Sequence, residues 1–306
     1  MIARTSWISD GEKVEEDHFK NLNWKVEKHE LKFDKPISDT RKRWYGTGIN
    51  ALVRSDDNST LGTVKNRYEI FQNEDIIEWT KPLTEEGFWK HHSSGSFENG
   101  KANWMLLNHD ESEIIPKDIL QNYLCVAWFH DGMRANVVLP TSIRIICKNT
   151  FNSAIRGRGT ENESTINRIV HKDIVIKYEE VQQYWLQMTE FFTKRNEMFK
   201  ALTDVKMTDL NLEKYVDVLY PVTKESSPVL KNRNNRVKQM VFGDASGHKE
   251  LGIINTGYGA FQAVSEYIEH EQSTKVAEQG NYILFGNGKT RLVHAFEEIN
   301  KFNKTA

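Results

Sequence analysis

The sequence predicts an α+β fold, with an antiparallel β-sheet in the N-terminal half and a mainly helical C-terminal half. Three observations carry this. Between residues 24 and 148 the apolar residues come in short runs or alternate with polar ones, as in strands with one or both faces buried. Turn chemistry separates these runs, above all the Asn99-Gly100 step, whose residues tolerate the positive φ of a tight hairpin. Beyond residue 149 the apolar positions recur at helical spacing, most clearly from Tyr178 to Leu202. The change near residue 150 divides the chain into a β-rich domain with short helices, 1–150, and a mainly helical region, 151–306; the two can share one core.

Taken in order, Asp10 to Leu22 is charged with sparse apolar positions and reads as a short surface helix. Trp24, Val26, Leu31 and Phe33 then alternate with charges, with a phase slip near His29, giving a half-buried strand or two short ones. Arg41 to Tyr45 and Ile49 to Arg54 are β segments, Ser55 to Thr60 is a polar turn, and Leu61 to Val64 returns. Tyr68 to Gln72 is expected to continue that strand. Asn73 is expected to cap a following helix, whose early acids, Glu74 and Asp75, suit its positive end. Gly87 to Leu107 reads as a hairpin about Asn99-Gly100. Tyr123 to Phe129 is a strand, His130 to Met133 a turn, Ala135 to Leu139 the return, and Ser142 to Cys147 one more strand.

Asn149 to Ile155 is expected to begin a helix, capped by Asn149 and Thr150, which Gly157 to Glu163 then breaks with a polar loop. From Tyr178 the stripe Val181, Tyr184, Trp185, Met188, Phe191, Phe192, Met198, Phe199 and Leu202 reads as the packing face of a long helix. Further helices are expected over Leu212 to Leu219, stopped by Pro221, over Thr256 to Gln272, and over Thr290 to Phe302, which a Gly/Asn-rich loop enters.

Composition excludes several classes. The formal charge of −2 and pI of about 6.6 argue against a protein held on nucleic acid by bulk charge alone. The two cysteines, Cys125 and Cys147, sit in apolar runs and read as buried thiols, not as a disulfide framework. The N-terminus lacks the apolar core of a signal peptide. No run approaches the ~20 apolar residues of a membrane span. The expectation is a soluble protein of the host-cell cytoplasm.

Candidate chemistry is thin. Gly286-Asn287-Gly288-Lys289-Thr290 ends like a phosphate loop, but Ile283 stands where the first glycine belongs. What survives is a helix start whose glycine amides, Lys289 and Arg291 can hold one backbone phosphate. His91-His92, His109-Asp110 and His130-Asp131 offer metal-ligand types at spacings that match no ligand motif. His130-Asp131 reads either as an Asp-oriented general base or as a turn capped by Asp131 before Gly132. Cys147 beside Lys148 is an activated thiol only if it is not buried. No catalytic set, cofactor or metal is expected.

Basic residues are unevenly placed. From Thr141 to Lys177 seven of them, including Arg144, Lys148, Arg156 and Arg158, face three acids, and Lys231, Arg233, Arg236 and Lys238 follow with no acid between them. Such side chains neutralise phosphates, and aromatics such as Trp44, Tyr45, Tyr68 and Phe71 can stack on unpaired bases.

Several segments resemble one family. Thr141-Ser142-Ile143-Arg144-Ile145-Ile146-Cys147-Lys148-Asn149-Thr150 is similar to its T-x-[IV]-R-V-V-C-x-N-T signature. Leu61 to Val64, Arg67 to Asn73, His130-Asp131-Gly132, Thr256 to His270 and Phe285 to Gly288 fit as well, so the resemblance runs over roughly residues 24 to 300. The family is the phage- and plasmid-like one of the domain of unknown function 932. Tyr258 before Gly259, where the family often has Trp, and Met133, where it usually has a small residue, are mild departures.

The resemblance implies a protein of phages, prophages or plasmids, in replication, recombination or defence against the host, with no catalytic residue to carry over. The fold class is also similar to that of phage single-strand annealing proteins of the RecT and Red-beta kind. The leading expectation is therefore a non-catalytic protein that binds single-stranded DNA and promotes annealing. Its phosphate contacts would come from Arg144, Lys148, Arg156, Arg158, Lys231, Arg233, Arg236, Lys238 and Lys289. A homo-oligomeric ring or filament would suit that role. Two other readings are an interaction protein that inhibits a host defence or restriction factor, and an enzyme built on His130-Asp131.

Overall fold

A computed structural model describes residues 22–38, 41–85, 87, 89–144, 150–152, 167–169, 178–272, 282–284 and 286–303. Strands occupy the N-terminal half and helices dominate from residue 178 on. The strands make two antiparallel sheets where one was expected. The small sheet is β1 (Val26–Ser38), β2 (Arg41–Arg54) and β3 (Thr60–Lys65), in that order. The phase slip expected near His29 is a register shift between Glu30 and Lys32. The β segments at 41–45 and 49–54 are one continuous strand.

Tyr68 to Gln72 does not continue β3. The Gln72 side chain takes the place of a strand partner for Val26, accepting from its N–H and donating to its carbonyl, both at 2.9 Å. Tyr68 and Ile70 fold in against Trp24, Val26, Leu52, Leu61 and Val64. A side-chain amide thus satisfies backbone groups that the ladder would otherwise pair.

The large sheet runs β4 (Lys90–Phe97), β5 (Ala102–Ile115), β6 (Asp118–Phe129), β7 (Asn136–Arg144), β8 (Thr150–Asn152), with β9 (Asn167–Ile169) also on β7. Asn99 and Gly100 turn β4 into β5 with φ of 56° and 93°, as the Asn-Gly step requires. The strands expected at 135–139 and 142–147 are joined in β7, which passes through Pro140 opposite Leu124. Thr150–Asn152 pairs with Thr141 to Ile143 as a strand, which corrects the helix expected there. Thr150 and Phe151 are strand-favouring residues, and β7 offers them an edge to pair with. The surface helix at 10–22, the loop at 157–163 and Cys147 lie outside the described residues, Leu22 excepted.

β6 is central and buried on both faces, which explains its unbroken apolar run. Leu124, Val126 and Trp128 face a cluster that includes Ile76, Trp79 and Leu83 of α1 (Asn73–Glu85) and Met188, Phe191 and Phe192 of α2 (Tyr178–Asp204). Tyr123, Cys125, Ala127 and Phe129 face the opposite side with Trp104 and Leu106. Burial pushes the Cys125 thiol up to about 12, so it is inert at neutral pH.

Further α-helices among the described residues are α3 (Asp209–Leu219), α4 (Pro228–Gln239), α5 (His248–Leu251), α6 (Gly257–Glu266) and α7 (Asn287–Asn303). Phe199 and Leu202 at the end of α2 join Tyr215, Val216, Phe261, Val264, Phe296 and Ile299. Ile114 and Leu120 of the large sheet belong to the same cluster, so α2 ties sheet and helices together. α6 is buried on every side, beyond the single apolar face its spacing predicts. The polar stretch now seen as α4 carried no helical stripe. Its start is set by Ser227, which caps the Leu230 N–H at 3.4 Å, and by Pro228 in the first turn.

The small sheet docks on the turn between β6 and β7. A side-chain carbon on Gly62 would lie 2.2 Å from the Asp131 carbonyl oxygen, and one on Gly132 would lie 2.5 Å from Val64. Gly132 also has a φ of +73°, which an L side chain rarely adopts. Asn73 completes the joint, and here the expected cap is corrected. Its side chain turns inward and donates to the carbonyls of Leu22 and Trp24, both at 3.0 Å. Its oxygen accepts from Trp128 Nε1 at 2.8 Å and pairs with His130 Nε2 at 2.9 Å. The helix start is served instead by Asp75, which accepts from the Gln72 N–H at 2.7 Å.

Candidate nucleic-acid interface

β3 accompanies β2 only over Ile49 to Val53. Beyond Ile49 the β1–β2 pair continues alone as a two-stranded ribbon, joined from Lys32 opposite Gly46 to Ser38 opposite Arg41. Residues 31–49 hold five basic residues, Lys32, Lys35, Arg41, Lys42 and Arg43, against Asp34 and Asp39. Directly paired residues share a face of the ladder. Phe33 and Tyr45 therefore lie with Lys35 and Arg43 on one face, and Asp34 with Trp44 on the other.

The aromatics of this ribbon are in water. Trp44 is 64% exposed and Phe33 is 52% exposed. Phe33 and Tyr45 stack with ring centroids 5.7 Å apart, and the Arg43 guanidinium lies 5.7 Å from the Tyr45 ring. The pair makes a flat face flanked by cations. Large exposed aromatics on a two-stranded ribbon do not hold it in place against a core; they are available to a partner. Of the four aromatics proposed from sequence for base stacking, Trp44 and Tyr45 are outward, whereas Tyr68 and Phe71 pack against the interior.

The helical half gathers a second group of cations. On α4, Lys231 donates to the Lys224 carbonyl at 2.7 Å. Arg236 forks onto Glu271 at 2.7 and 2.8 Å and reaches Asp244 at 3.3 Å, and Lys238 pairs with Asp217 at 2.9 Å. These two are occupied by carboxylates and reach a phosphate only by giving those up. Arg233 differs: its guanidinium is near enough to the Tyr267 phenol to act on it electrostatically. Tyr267 meets Tyr220 edge-on at 5.5 Å. Arg233 and Arg291 of α7 both act electrostatically on Tyr220, Tyr267 and Tyr282. The first turn of α7 packs closely there, since a side-chain carbon on Gly288 would lie 2.8 Å from the Tyr282 ring. Lys289 is in that turn, and burial holds its ammonium below the usual range.

Arg233 of α4 and Arg291 of α7 thus act on the same three tyrosines, whereas the Lys289 ammonium is not among the groups that act on them. Nothing in the sequence signalled the three tyrosines that join the two arginines, because they come from separate segments. Arg144 ends β7 opposite Leu120. Lys148, Arg156 and Arg158 lie outside the described residues.

The histidine candidates resolve into packing. His130 is buried, and the edge of Trp24 lies 5.4 Å from its ring. Because the Asn73 amide nitrogen already donates twice, its oxygen faces His130, and Nε2 must carry the proton. Asp131 caps the turn, accepting from the Met133 and Arg134 N–H groups at 2.8 and 3.0 Å and from Arg134 Nε at 2.5 Å. Burial disfavours its charge, but these donors outweigh that and hold its carboxyl below the usual range. His109 is also enclosed: its side chain is 1% exposed, stacked on Trp185 at 3.9 Å and bonded to Asp110. Among the described residues no group of three or more His, Cys, Asp or Glu is placed to hold a metal ion. Among the same residues no helix is long and apolar enough to cross a membrane.

A family model described as Domain of unknown function (DUF932) matches residues 60–288, more than half of the chain. The match begins at β3 and ends in α7, so the β1–β2 ribbon lies ahead of it. No curated protein and no solved structure matches the chain.

Proposed function

The chain belongs to the DUF932 family, and from that premise we propose that it binds single-stranded DNA in phage or mobile-element DNA metabolism, with the β1–β2 ribbon as its platform. The observation that carries this reading is the exposed aromatic and basic surface of the ribbon. Unpaired bases stack on aromatic faces regardless of sequence, and adjacent Lys and Arg neutralise the strand's phosphates. Trp44 on one face, and Phe33 with Tyr45 on the other, supply the first element; Lys35 and Arg43 supply the second. A duplex hides its base faces and gains nothing from such a surface. In an annealing role the same stacking would hold bases outward for a complementary strand.

Trp44→Ala is expected to weaken binding of a labelled oligonucleotide by about 5- to 150-fold, the range for one lost stacking partner. Arg43→Gln is expected to weaken it less and to flatten its salt dependence by about one phosphate contact. Both positions are exposed, so the fold should be unaffected, which circular dichroism checks. Unchanged affinity in Trp44→Ala would remove the ribbon as the platform.

A further inference from the structure

Base stacking accounts for the aromatic pair on the ribbon but not for its aliphatic neighbours. Leu31 and Ile49 are 38% and 43% exposed. Alternate residues of a strand share a face, so Glu27, His29, Leu31, Phe33 and Lys35 line one face of β1. Ile49, Tyr45 and Arg43 lie beside them on β2, and the register shift after Glu30 sets Thr47 to Ile49 level with Leu31. The face thus holds four exposed apolar side chains together, Leu31, Phe33, Tyr45 and Ile49. A contiguous apolar surface of this kind marks a contact with protein.

The charges on this face are arranged about Leu31. Glu27 stands four residues to one side, where it pairs with His29 at 3.0 Å. Lys35 stands four residues to the other side, at the outer part of the ribbon, with Arg43 directly opposite it. Two copies packed face to face about a two-fold axis over Leu31, with their β1 strands antiparallel, are therefore complementary. Lys35 and Arg43 of each copy come over Glu27 of the other, and the apolar side chains meet between them. Lys65, level with Ile49, is exposed on the outer strand of the sheet and stays at the rim of such a contact. A two-fold contact uses the same patch on both copies, which is what a face with its acid at one end and its cations at the other permits.

We propose that this face of the ribbon, Leu31, Phe33, Tyr45 and Ile49 with Glu27 and Lys35 at its ends, is a two-fold contact with a second copy of the chain. The patch is small, so association is weak and reversible. Because Phe33 and Tyr45 belong to it, a single strand stacked on them displaces the second copy. The contact does not rest on the DNA-binding reading above; the displacement does.

The test is sedimentation of the full chain over a range of concentrations, with and without a single-stranded oligonucleotide. The expected result is a monomer–dimer equilibrium that Leu31→Asp or Ile49→Asp weakens by about tenfold or more, the effect of losing a central apolar contact. Glu27→Lys should weaken it too, and Glu27→Lys combined with Lys35→Glu should recover part of the loss, because the two positions meet across the axis. These positions are exposed, and melting of each variant controls for folding. A chain that is monomeric at every concentration overturns the contact, as does a dimer indifferent to Leu31→Asp or a double variant that associates no better than Glu27→Lys; none of these touches the ribbon's binding to DNA. A dimer that behaves as expected while no oligonucleotide binds supports the contact and overturns the DNA-binding reading. A dimer that persists with the strand bound supports the contact, overturns the displacement and leaves the strand to Trp44 on the other face.

Discussion

Asn122→Ala is expected to destabilise the fold by about 3–5 kcal/mol, because a hydrogen bond to a buried charge is worth roughly 1.5–3 kcal/mol and the buried Ser112 and Ser142 hydroxyls lose a partner as well. Arg195 of α2 is 2% exposed, and among the described residues it has no carboxylate within ion-pair distance. Burial pushes its guanidinium down to about 9, so it stays charged at neutral pH. Its Nη1 donates to Asn122 Oδ1 at 3.0 Å and to Ser142, its Nε and Nη2 donate to Asn196, and it lies 5.0 Å from the Phe192 ring. Asn122 passes the charge on. Its Nδ2 donates to Asp110 at 3.0 Å and to Ser112 at 2.8 Å. Removing Asn122 strips the cation of an acceptor and cuts its path to the nearest carboxylate. Arg195→Met should cost far less, because an apolar side chain of similar length needs no acceptor. In that background Asn122→Ala should also lose most of its effect. A double-mutant cycle in urea reads this coupling directly.

Asn73→Ala is expected to cost about 4 kcal/mol, on the basis of four buried groups left unsatisfied at roughly 1 kcal/mol or more each. One side chain serves the carbonyls of Leu22 and Trp24, the Trp128 indole and the His130 imidazole. It links the entry to the small sheet with the end of β6. Asn73→Asp should be no rescue: one carboxylate oxygen would face the two carbonyls that now accept from the amide. The measurement is chemical unfolding followed by tryptophan fluorescence, since Trp24 and Trp128 both flank the joint. A loss below about 1 kcal/mol would mean that water replaces the side chain at little cost.

What the sequence made legible was local. The Asn99-Gly100 hairpin, the slip that became the register shift after Glu30, and the stripe of α2 each depend on residues close in the chain. The errors came where distant residues decide. Asn73 has the composition and position of a cap, but two tryptophan-bearing segments compete for its amide and win. Gln72 ends a strand by imitating one. Thr150 and Phe151 followed the edge of β7, which the local pattern does not reveal. α4 is held by Ser227, Pro228 and the Asn234 amide, which donates to Asp217 and the Tyr220 carbonyl at 2.8 Å, not by an apolar stripe. The candidate interface was legible in the same partial way. Trp44 and Tyr45 were named beside Tyr68 and Phe71, and only the short reach of β3 separates the outward pair from the inward one. Pairing of Arg236 with Glu271 and of Lys238 with Asp217 likewise depends on segments far apart in sequence.

The central claim is that the ribbon presents stacking surface to unpaired bases. Its most direct test is equilibrium binding of the full chain to one labelled oligonucleotide, single-stranded and then annealed to its complement, at low salt, where phosphate contacts are strongest. The account predicts tighter binding to the single strand, weakening as salt rises. Equal or tighter binding to the duplex, or no binding to either, would contradict it.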